Sequence, residues 1–209
     1  EVRDVMGVCQ PDFVFHLAAQ ALVRPSYEDP LETFSVNAIG SINILDALKY
    51  LDKKVAVVMI TSDKAYDNVE WVWGYRETDR LGGKDPYSAS KGMAELAIRS
   101  YVESFFNSPG SNVRVGITRA GNVIGGGDWA VDRIVPDCME AWANGNTVDI
   151  RNPHATRPWQ HVLEPLSGYL CLAKNLYLGS QNHGEAYNFG PSSNQDYPVS
   201  QLINERSKY

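Results

Sequence analysis

The sequence feature that most constrains the fold is a set of three short apolar runs, at residues 13–17, 55–60 and 113–118. Each run is rich in β-branched or aromatic side chains and is flanked by polar residues, which is typical of strands buried in a sheet. The segments between the runs are long enough for helices. Strands that alternate with helices predict an α/β fold whose parallel sheet is built from right-handed crossovers.

The first long intervening segment, residues 30–51, has an apolar side chain at every third or fourth position, as an amphipathic helix requires: Leu31, Phe34, Ala38, Ile42, Leu45 and Leu48. Asn37 lies on or near this apolar face, and either a specific hydrogen bond or a solvated position accounts for it. A second long helix is predicted from Pro86 to about Phe106, with an inner face formed by Ala89, Met93, Leu96 and Ala97.

After the third strand the alternation loosens. We predict a helix over residues 132–144, an extended segment over 147–151, a helix over 162–178 and a last short strand over 185–189. The long loop between the second strand and the second helix contains Trp71, Trp73 and Tyr75. Loops of that length are usually functional, so we expect a lid or a partner surface there.

Composition limits the classes of function. The 209 residues are 44% hydrophobic and 21% charged, which is ordinary for one soluble globular domain. The net charge of -6 argues against a nucleic-acid surface, although local cations can still bind an anionic small molecule. No apolar run approaches the length of a membrane span, and no signal peptide opens the sequence. We therefore expect a cytoplasmic protein without nucleic-acid or membrane partners.

The cysteines and the first histidine offer no metal site. Cys9, Cys138 and Cys171 lie far apart in apolar contexts and lack metal-ligand spacing. We interpret them as buried thiols in a reducing compartment. His16, at the end of the first run, is interpreted as a hydrogen-bonded core histidine rather than a ligand, because no partner has suitable spacing.

A tyrosine and a lysine follow Pro86 at the predicted start of the second long helix. Tyr87 and Lys91 are four residues apart, so both side chains lie on one helix face and can reach the same cleft. There the ammonium favours the tyrosinate, which is a general base for a hydroxyl proton. Taken alone, a Tyr-x-x-x-Lys pair is more often a solvated helix face.

The residues that follow the second apolar run favour a catalytic role for the tyrosine–lysine pair over a solvated helix face. Residues 61–64, Thr-Ser-Asp-Lys, leave the predicted strand at its carboxyl end, where open α/β sheets build their sites. A hydroxyl, a carboxylate and an ammonium therefore emerge together. Combined with the tyrosine–lysine pair, they favour a catalytic site over a plain polar loop.

Groups suited to a phosphate follow the third strand. Residues 125–127 are three glycines that permit close approach of a phosphate to the backbone. No helix follows them at once, so they do not form a dinucleotide fingerprint. The cations available for a bound pyrophosphate are Arg133, Arg151 and Arg157.

Taken in order, these motifs resemble the extended short-chain dehydrogenase/reductase family. The residues that carry the resemblance are His-Leu-Ala-Ala at 16–19, Asn37, Thr-Ser-Asp at 61–63, Tyr87-x-x-x-Lys91 and Arg119-x-x-Asn122-Val123. More narrowly, the chain is similar to nucleotide-sugar 4,6-dehydratases of the CDP-glucose branch, through residues 19–24, 61–64, 125–129 and 157–161. In dTDP-glucose and GDP-mannose relatives a glutamate follows the active-site aspartate. Lys64 stands in that place here, which favours the CDP-sugar branch.

The resemblance implies a redox-neutral reaction on CDP-glucose with tightly held NAD. Tyr87 would take the proton of the sugar 4-hydroxyl while a hydride leaves C4 for NAD+, with Ser62 hydrogen-bonded to that oxygen and Lys91 holding the ribose. Water would then be lost across C5 and C6, with Asp63 as the acid for the 6-hydroxyl, and the hydride would return to C6. The base for the C5 proton stays open, because relatives use the glutamate that Lys64 replaces.

The resemblance also implies a division of the chain. The expected fold is a Rossmann-like doubly wound parallel sheet with a smaller C-terminal substrate-binding region. We place a partial NAD-binding domain at residues 1–125 and a mainly substrate-binding region, interleaved with it, at residues 126–209. The implied cofactor-binding residues are Leu17, Ala18, Ala19, Asn37, Tyr87 and Lys91, and the implied substrate-binding residues are Asn122, Arg133, Arg157 and Asn188. Relatives commonly pair two long helices per subunit, so a homo-oligomer, a dimer or a tetramer, is expected.

The chain departs from the family at its beginning. No glycine-rich turn precedes the first strand, whereas family members carry one in an N-terminal βαβ unit. We interpret residues 1–4 as the end of the segment that meets the adenine, and the few residues between Asp4 and Pro11 as too few for the next helix. The sequence is therefore expected to be a fragment that also stops short of the last substrate-domain helices.

Two alternatives to a CDP-glucose dehydratase stay open. A nucleotide-sugar epimerase, or a dehydratase for another nucleotide sugar, uses the same tyrosine, lysine and serine. The epimerase needs no acid for a dehydration, so Asp63 and Lys64 beside Ser62 argue against it. The second alternative is a non-catalytic relative or a partner-binding fragment, which the missing glycine-rich turn favours.

Overall fold

The computed structural model of the chain describes residues 1–192, 195 and 197–207. Their contacts divide into two compact units. The first unit consists of Glu1–Ala120 and Leu166–Phe189, and the second consists of Gly121–Pro165 and the residues from Gly190 onward. The chain therefore passes from the first unit to the second and back again before it ends in the second.

The first unit is built on a parallel sheet. The strands of the described residues are β1 (Phe13–His16), β2 (Val55–Ile60), β3 (Val113–Ala120), β4 (Val123–Ile124), β5 (Thr156–Arg157), β6 (Gln160–His161), β7 (Ala186–Phe189) and β8 (Tyr197–Pro198). The order β1-β2-β3-β7 forms the sheet, and each neighbouring pair in it is parallel. The second unit contains the parallel pair β4–β6 and the antiparallel pair β5–β8. The predicted α/β fold with a parallel sheet is confirmed.

Helices lie between most of these strands. They are α1 (Val2–Cys9), α2 (Val23–Glu28), α3 (Pro30–Phe34), α4 (Gly40–Leu48), α5 (Pro86–Tyr101), α6 (Ile134–Ala143), α7 (Leu163–Leu178) and α8 (Val199–Arg206). Ser35–Ile39 and Val102–Phe106 are π-helical, and Asp63–Ala65 is a short 3-10 helix. None of the described helices is long and apolar enough to cross a bilayer.

The central strand β2 shows why the sheet is doubly wound. Val55, Val57 and Met59 join a core with residues of α4 and α5, whereas Ala56 and Val58 face residues of α7. Successive strand residues point to opposite faces, so both faces of β2 are covered by helices. Full burial of each valine is worth roughly 1.5–3 kcal/mol of transfer free energy.

Two glycines allow α7 to lie close to the sheet. A Cβ atom at Gly116 of β3 would lie 2.9 Å from the Leu172 side chain, and one at Gly168 of α7 would lie 2.0 Å from the Phe189 ring. Neither separation is possible in a packed core. Any side chain at these positions would push the helix away from the strands and open a cavity.

The prediction for the inner face of α5 was wrong. Met93 and Leu96 are 42% and 60% exposed. The buried side chains of this helix are Tyr87, Ser88, Ser90, Lys91, Gly92, Ala94, Glu95 and Ile98. The apolar residues Met93 and Leu96 of this helix therefore face outward. Its polar side chains face inward, where Ser90 and Glu95 have hydrogen-bond partners.

The helix predicted over residues 30–51 is divided into α3, the π-helical turn and α4. Ala38, Leu45 and Leu48 are buried as the period predicts, but Leu31 is 76% exposed. Asn37, on the π-helical turn, is 2% exposed, which excludes the solvated alternative for this side chain.

Three further predictions were wrong. The residues near the N-terminus do form a helix, since α1 begins already at Val2 and so includes the residues interpreted as the end of an adenine-binding segment. Arg3 of this helix pairs with Asp46 of α4 at 2.9 Å, which anchors α1 to the first unit.

Cys9 and Cys171 are exposed on helix surfaces, and only Cys138 of the three cysteines is buried. Residues 147–151 form no strand, because they pair with no other strand among the described residues.

Candidate active site

The carboxyl end of β2 presents a fixed hydroxyl. Ser62 is 8% exposed, and its Oγ donates to Asp63 Oδ1 at 3.0 Å. The same oxygen accepts the backbone N–H of Lys64 at 3.2 Å, so Ser62 caps the 3-10 helix that follows. The strand end therefore orients a serine and an aspartate together, while the Lys64 side chain is exposed.

The start of α5 is equally well fixed. Asp85 is the N-cap, and its carboxylate accepts the backbone N–H of Ser88 at 2.9 Å and the hydroxyl of Ser88 at 2.6 Å. The backbone N–H of Tyr87 donates to Ser26 Oγ at 3.2 Å, which ties this turn to α2. Tyr87 and Lys91 then lie one turn apart on the buried face, 8% and 6% exposed.

The Lys91 ammonium is held in a poorly solvated position. Burial lowers the pKa of Lys91 to about 8, and the negative charge of Glu95 partly opposes this shift. Burial and the positive charge of Lys91 together lower the pKa of His16 at the end of β1. Lys91 therefore lies near the carboxyl end of β1 as well as on the helix that packs against the residues after β2.

His16 is a hydrogen-bonded histidine, as the sequence indicates. Its Nε2 lies 3.2 Å from Ser41 Oγ. Among the described residues, no group of three or more histidine, cysteine, aspartate or glutamate side chains could hold a metal ion.

Asn37 shapes the segment that follows β1. Its Oδ1 accepts the backbone N–H of Gln20 at 2.9 Å, and its Nδ2 donates to the Gln20 carbonyl and to Ser90 Oγ, both at 2.9 Å. Ser90 lies beside Lys91 on α5, so one buried amide joins the segment after β1 to the helix. Leu17 and Ala18 in that segment are exposed. Of the predicted cofactor-binding residues, Asn37 thus holds the backbone at Gln20, and Ala19 is only partly exposed.

Asn188, a predicted substrate-binding residue, is joined to the long loop after β2. Its Oδ1 accepts the Tyr66 hydroxyl at 2.7 Å, and its Nδ2 donates to the Tyr75 carbonyl at 2.9 Å. Its backbone N–H donates to Glu77 Oε1 at 2.9 Å. The rings of Tyr66 and Tyr75 stack with centroids 5.0 Å apart. The aromatic loop is therefore attached to the end of β7 through this asparagine.

The other predicted substrate-binding residues belong to the second unit. The Asn122 carbonyl accepts the backbone N–H of Gln160 at 3.0 Å, which extends the β4–β6 pair. Arg133 precedes α6 and lies 3.6 Å from an Asp128 carboxylate oxygen, and Arg157 is exposed with its guanidinium donating to the neighbouring Thr156 carbonyl at 2.7 Å. These contacts are local, and the structure does not bring the two arginines to one shared partner among the described residues.

A buried polar cluster beside this site was not predicted from the sequence. Glu95 and Arg119 form an ion pair with both side chains fully buried, and Thr61 donates to Glu95. The signal in the sequence was the position of Glu95, four residues after Lys91 on the same face of α5. A charged residue one turn beyond a buried lysine indicates that the polar face, rather than the apolar face, points inward.

The sequence model of the family described as GDP-mannose 4,6 dehydratase matches residues 1–189. The chain belongs to this family. Among curated relatives, it is 49% identical to a CDP-glucose 4,6-dehydratase of Salmonella typhimurium, over 98% of this chain and 58% of that protein. It is 24% identical to a UDP-glucose 4-epimerase of Mycoplasma pneumoniae, over 98% of this chain and 62% of the relative. The chain thus spans about six tenths of the length of these relatives.

Solved structures support the same fold. DesIV, a dTDP-glucose 4,6-dehydratase from Streptomyces venezuelae solved with NAD bound, superposes with a TM-score of 0.80 at 23% identity, over 98% of this chain and 60% of that one. The predicted family, and the Rossmann-like doubly wound fold that it implies, are confirmed. Within this dehydratase family, the 49% identity to a CDP-glucose enzyme supports the resemblance to the CDP-glucose branch.

Proposed function

We propose that the protein that carries this chain is an NAD-dependent CDP-glucose 4,6-dehydratase, a lyase of deoxysugar and lipopolysaccharide biosynthesis. The observation that carries the proposal is the 49% identity to such an enzyme over 98% of the chain. The site geometry is consistent with it, since a buried tyrosine–lysine pair lies on the helix that packs against the serine and aspartate after β2.

The residues at the carboxyl end of β1 fit the cofactor. Leu17 and Ala18 are exposed there, so the backbone of this segment is open to a ligand, and Asn37 holds the segment against α5. Leu17, Ala18, Ala19, Asn37, Tyr87 and Lys91 would hold NAD. When bound, NAD would supply the acceptor for a hydride from the sugar, and its reduced form would supply the hydride donor.

The oxidation half of the reaction needs a base for the sugar 4-hydroxyl. Tyr87 takes this proton, because the neighbouring Lys91 ammonium stabilises a phenolate in a buried position. Ser62 hydrogen-bonds the 4-oxygen. A Lys91 pKa of about 8 leaves this side chain largely protonated at neutral pH, as the role requires.

The elimination half needs an acid and a base. Asp63 protonates the departing 6-hydroxyl and lies directly against Ser62. Lys64 stands where relatives in the family have the C5 base. Its side chain is exposed.

The proposal also covers the residues that bind the substrate and the oligomeric state. Asn122, Arg133, Arg157 and Asn188 bind the CDP-sugar, with the cofactor held mainly by residues 1–125 and the substrate mainly by residues 126–209. Leu31 and Ile39 on one helical segment, and Met93 and Leu96 on α5, are large apolar side chains that face outward. Such a surface suits the helix pairing of a cytoplasmic homo-oligomer, a dimer or a tetramer.

The proposal is tested with the complete protein that carries this chain. Supplied with NAD, it should convert CDP-glucose to a product lighter by one water, detected by mass spectrometry as a 4-keto-6-deoxy sugar nucleotide. dTDP-glucose and GDP-mannose should react much more slowly. Formation of CDP-galactose would identify an epimerase instead. Faster turnover of another sugar nucleotide would show that CDP-glucose is not the preferred substrate.

A further inference from the structure

We propose that Glu95 is a positioning residue that fixes the carboxyl end of β2 against α5. This inference rests on the proposed function, because the groups it holds in place are Ser62 and Asp63 on one side and Tyr87 and Lys91 on the other. Glu95 itself is fully buried and acts through Thr61, the residue that precedes Ser62.

The Glu95 carboxylate is bonded to both neighbouring strand ends. Its Oε1 accepts the Thr61 hydroxyl at 2.6 Å and Arg119 Nε at 2.7 Å, and its Oε2 accepts Arg119 Nη2 at 2.5 Å. Thr61 follows the last residue of β2, and Arg119 is the penultimate residue of β3. One helix side chain thus determines where both strand ends lie relative to α5.

Thr61 has a second set of bonds that leaves it little freedom. Its backbone N–H donates to the Thr118 carbonyl at 2.8 Å, and its hydroxyl oxygen lies 3.1 Å from the same carbonyl. The parallel ladder therefore continues one residue past β2, and the Glu95 bond holds that extra residue to the helix. Ser62 is the next residue, so its position follows from that of Thr61.

Arg119 also forms hydrogen bonds with the long loop after β2. Its Nη1 donates to the Tyr66 hydroxyl at 2.6 Å and to the Glu77 carbonyl at 3.1 Å. Its guanidinium also lies over the Tyr66 ring, 4.6 Å from the centroid. Tyr66 in turn donates to Asn188, so the cluster that begins at Glu95 reaches the end of β7.

Stability alone does not account for this cluster. Buried ion pairs are often no more stable than apolar residues of similar volume, because desolvation offsets the attraction between the charges. A carboxylate with two strand ends as hydrogen-bond donors does supply directional bonds that an apolar side chain lacks. A misplacement of about 1 Å in such a site can slow a reaction on the order of a hundredfold.

The test uses Thr61 rather than Glu95, since a change at Glu95 leaves the buried Arg119 without its charged partner and can prevent folding. In the complete protein, Thr61→Val removes the bond to Glu95 but keeps the shape of the side chain. We expect kcat on CDP-glucose to fall about tenfold or more while KM changes little, because the loss affects alignment rather than substrate binding. Thr61→Ser, which restores the hydroxyl, should recover the wild-type kcat.

The matched control is Thr118→Val on the neighbouring strand, a buried threonine whose hydroxyl does not donate to Glu95. It should keep the wild-type kcat, because the Glu95–Thr61 bond stays intact. The proposal is overturned if Thr61→Val keeps the wild-type kcat, or if Thr118→Val loses as much.

A second measurement separates this inference from the proposed function. If the wild-type protein does not turn over CDP-glucose, the proposed function fails, and amide hydrogen exchange of residues 61–67 decides the positioning role. Faster exchange in Thr61→Val than in Thr61→Ser and Thr118→Val supports it. Equal exchange in all three variants overturns it.

Discussion

Lys91 and Glu95 lie one turn apart on the buried face of α5, yet the carboxylate does not neutralise the ammonium. Glu95 is bonded to Arg119 and Thr61 instead. Burial therefore prevails over the attraction of Glu95, and the pKa of Lys91 falls to about 8. The first unit keeps a lysine at a position where its charge is costly, as is common at functional sites.

This cost predicts that Lys91→Met stabilises the ligand-free protein at pH 7. The folded pKa of Lys91 lies near 8, below its ordinary value of 10.5, so the unfolded chain binds more protons between these values. The free energy of unfolding of the wild type should therefore rise as pH increases through that window. A shift of this size corresponds to about 3 kcal/mol.

Urea unfolding at pH 7 and near pH 10 measures the effect. Lys91→Met should be the more stable protein at pH 7 by up to about 3 kcal/mol, with the difference shrinking at high pH. Lys174→Met, at an exposed position on α7, is the control and should change stability by less than about 0.5 kcal/mol. A loss of stability in Lys91→Met at pH 7 would show that the ammonium is better solvated than its burial indicates.

Tyr87→Phe should remove the proposed base for the 4-hydroxyl in the complete protein. Loss of a general base typically lowers kcat on the order of a hundredfold or more, whereas binding of the sugar nucleotide should be nearly unchanged. Steady-state kinetics together with calorimetric titration of CDP-glucose separates the two quantities. Tyr50→Phe, at a tyrosine that is 58% exposed, serves as the control. Near-normal turnover by Tyr87→Phe would remove this residue from the mechanism.

Asp63→Asn should separate the two halves of the reaction. The amide cannot protonate the departing 6-hydroxyl, so oxidation at C4 should proceed while loss of water slows. Quenched single-turnover samples should then contain a 4-keto-glucose nucleotide that has lost two hydrogens but no water, detected by mass spectrometry. If the variant binds substrate but forms no 4-ketone, Asp63 belongs to the oxidation step instead.

The buried pair of Glu95 and Arg119 gives a stability prediction with a built-in comparison. Glu95→Leu and Arg119→Met each leave one buried charge without its partner, and each should cost about 3–5 kcal/mol. The double variant Glu95→Leu with Arg119→Met should cost clearly less than the sum, because it leaves no buried charge. Denaturant unfolding of all the variants provides the comparison. Additive losses would mean that the two side chains do not act as a pair.

Much of the first unit was predictable from local patterns. The apolar run at Val55–Ile60 gave β2 with its observed bounds, and Pro86 after the capping Asp85 marked the first residue of α5. The positions of Ser62 and Tyr87 followed, because strand ends and helix starts fix where their first side chains lie. The relation between Tyr87 and Lys91 needed only the helical repeat.

The inward face of α5 and the π-helical turns were not predictable in the same way. Met93 and Leu96 continue an apolar period that points outward, whereas Glu95 points inward, where it pairs with Arg119. Such partners are distant in sequence, so hydrophobic periodicity cannot identify them. The bonds of Asn37 to Gln20 and Ser90 depend on tertiary contacts in the same way.

Dehydration by way of a transient oxidation at C4 is tested most directly by isotope transfer. The complete protein is incubated with NAD and CDP-glucose deuterated at C4, and the product is examined by NMR. We expect a 4-keto-6-deoxy sugar nucleotide with the deuterium at C6. Deuterium that returns to C4 of CDP-galactose, or that is absent from a dehydrated product, would contradict it.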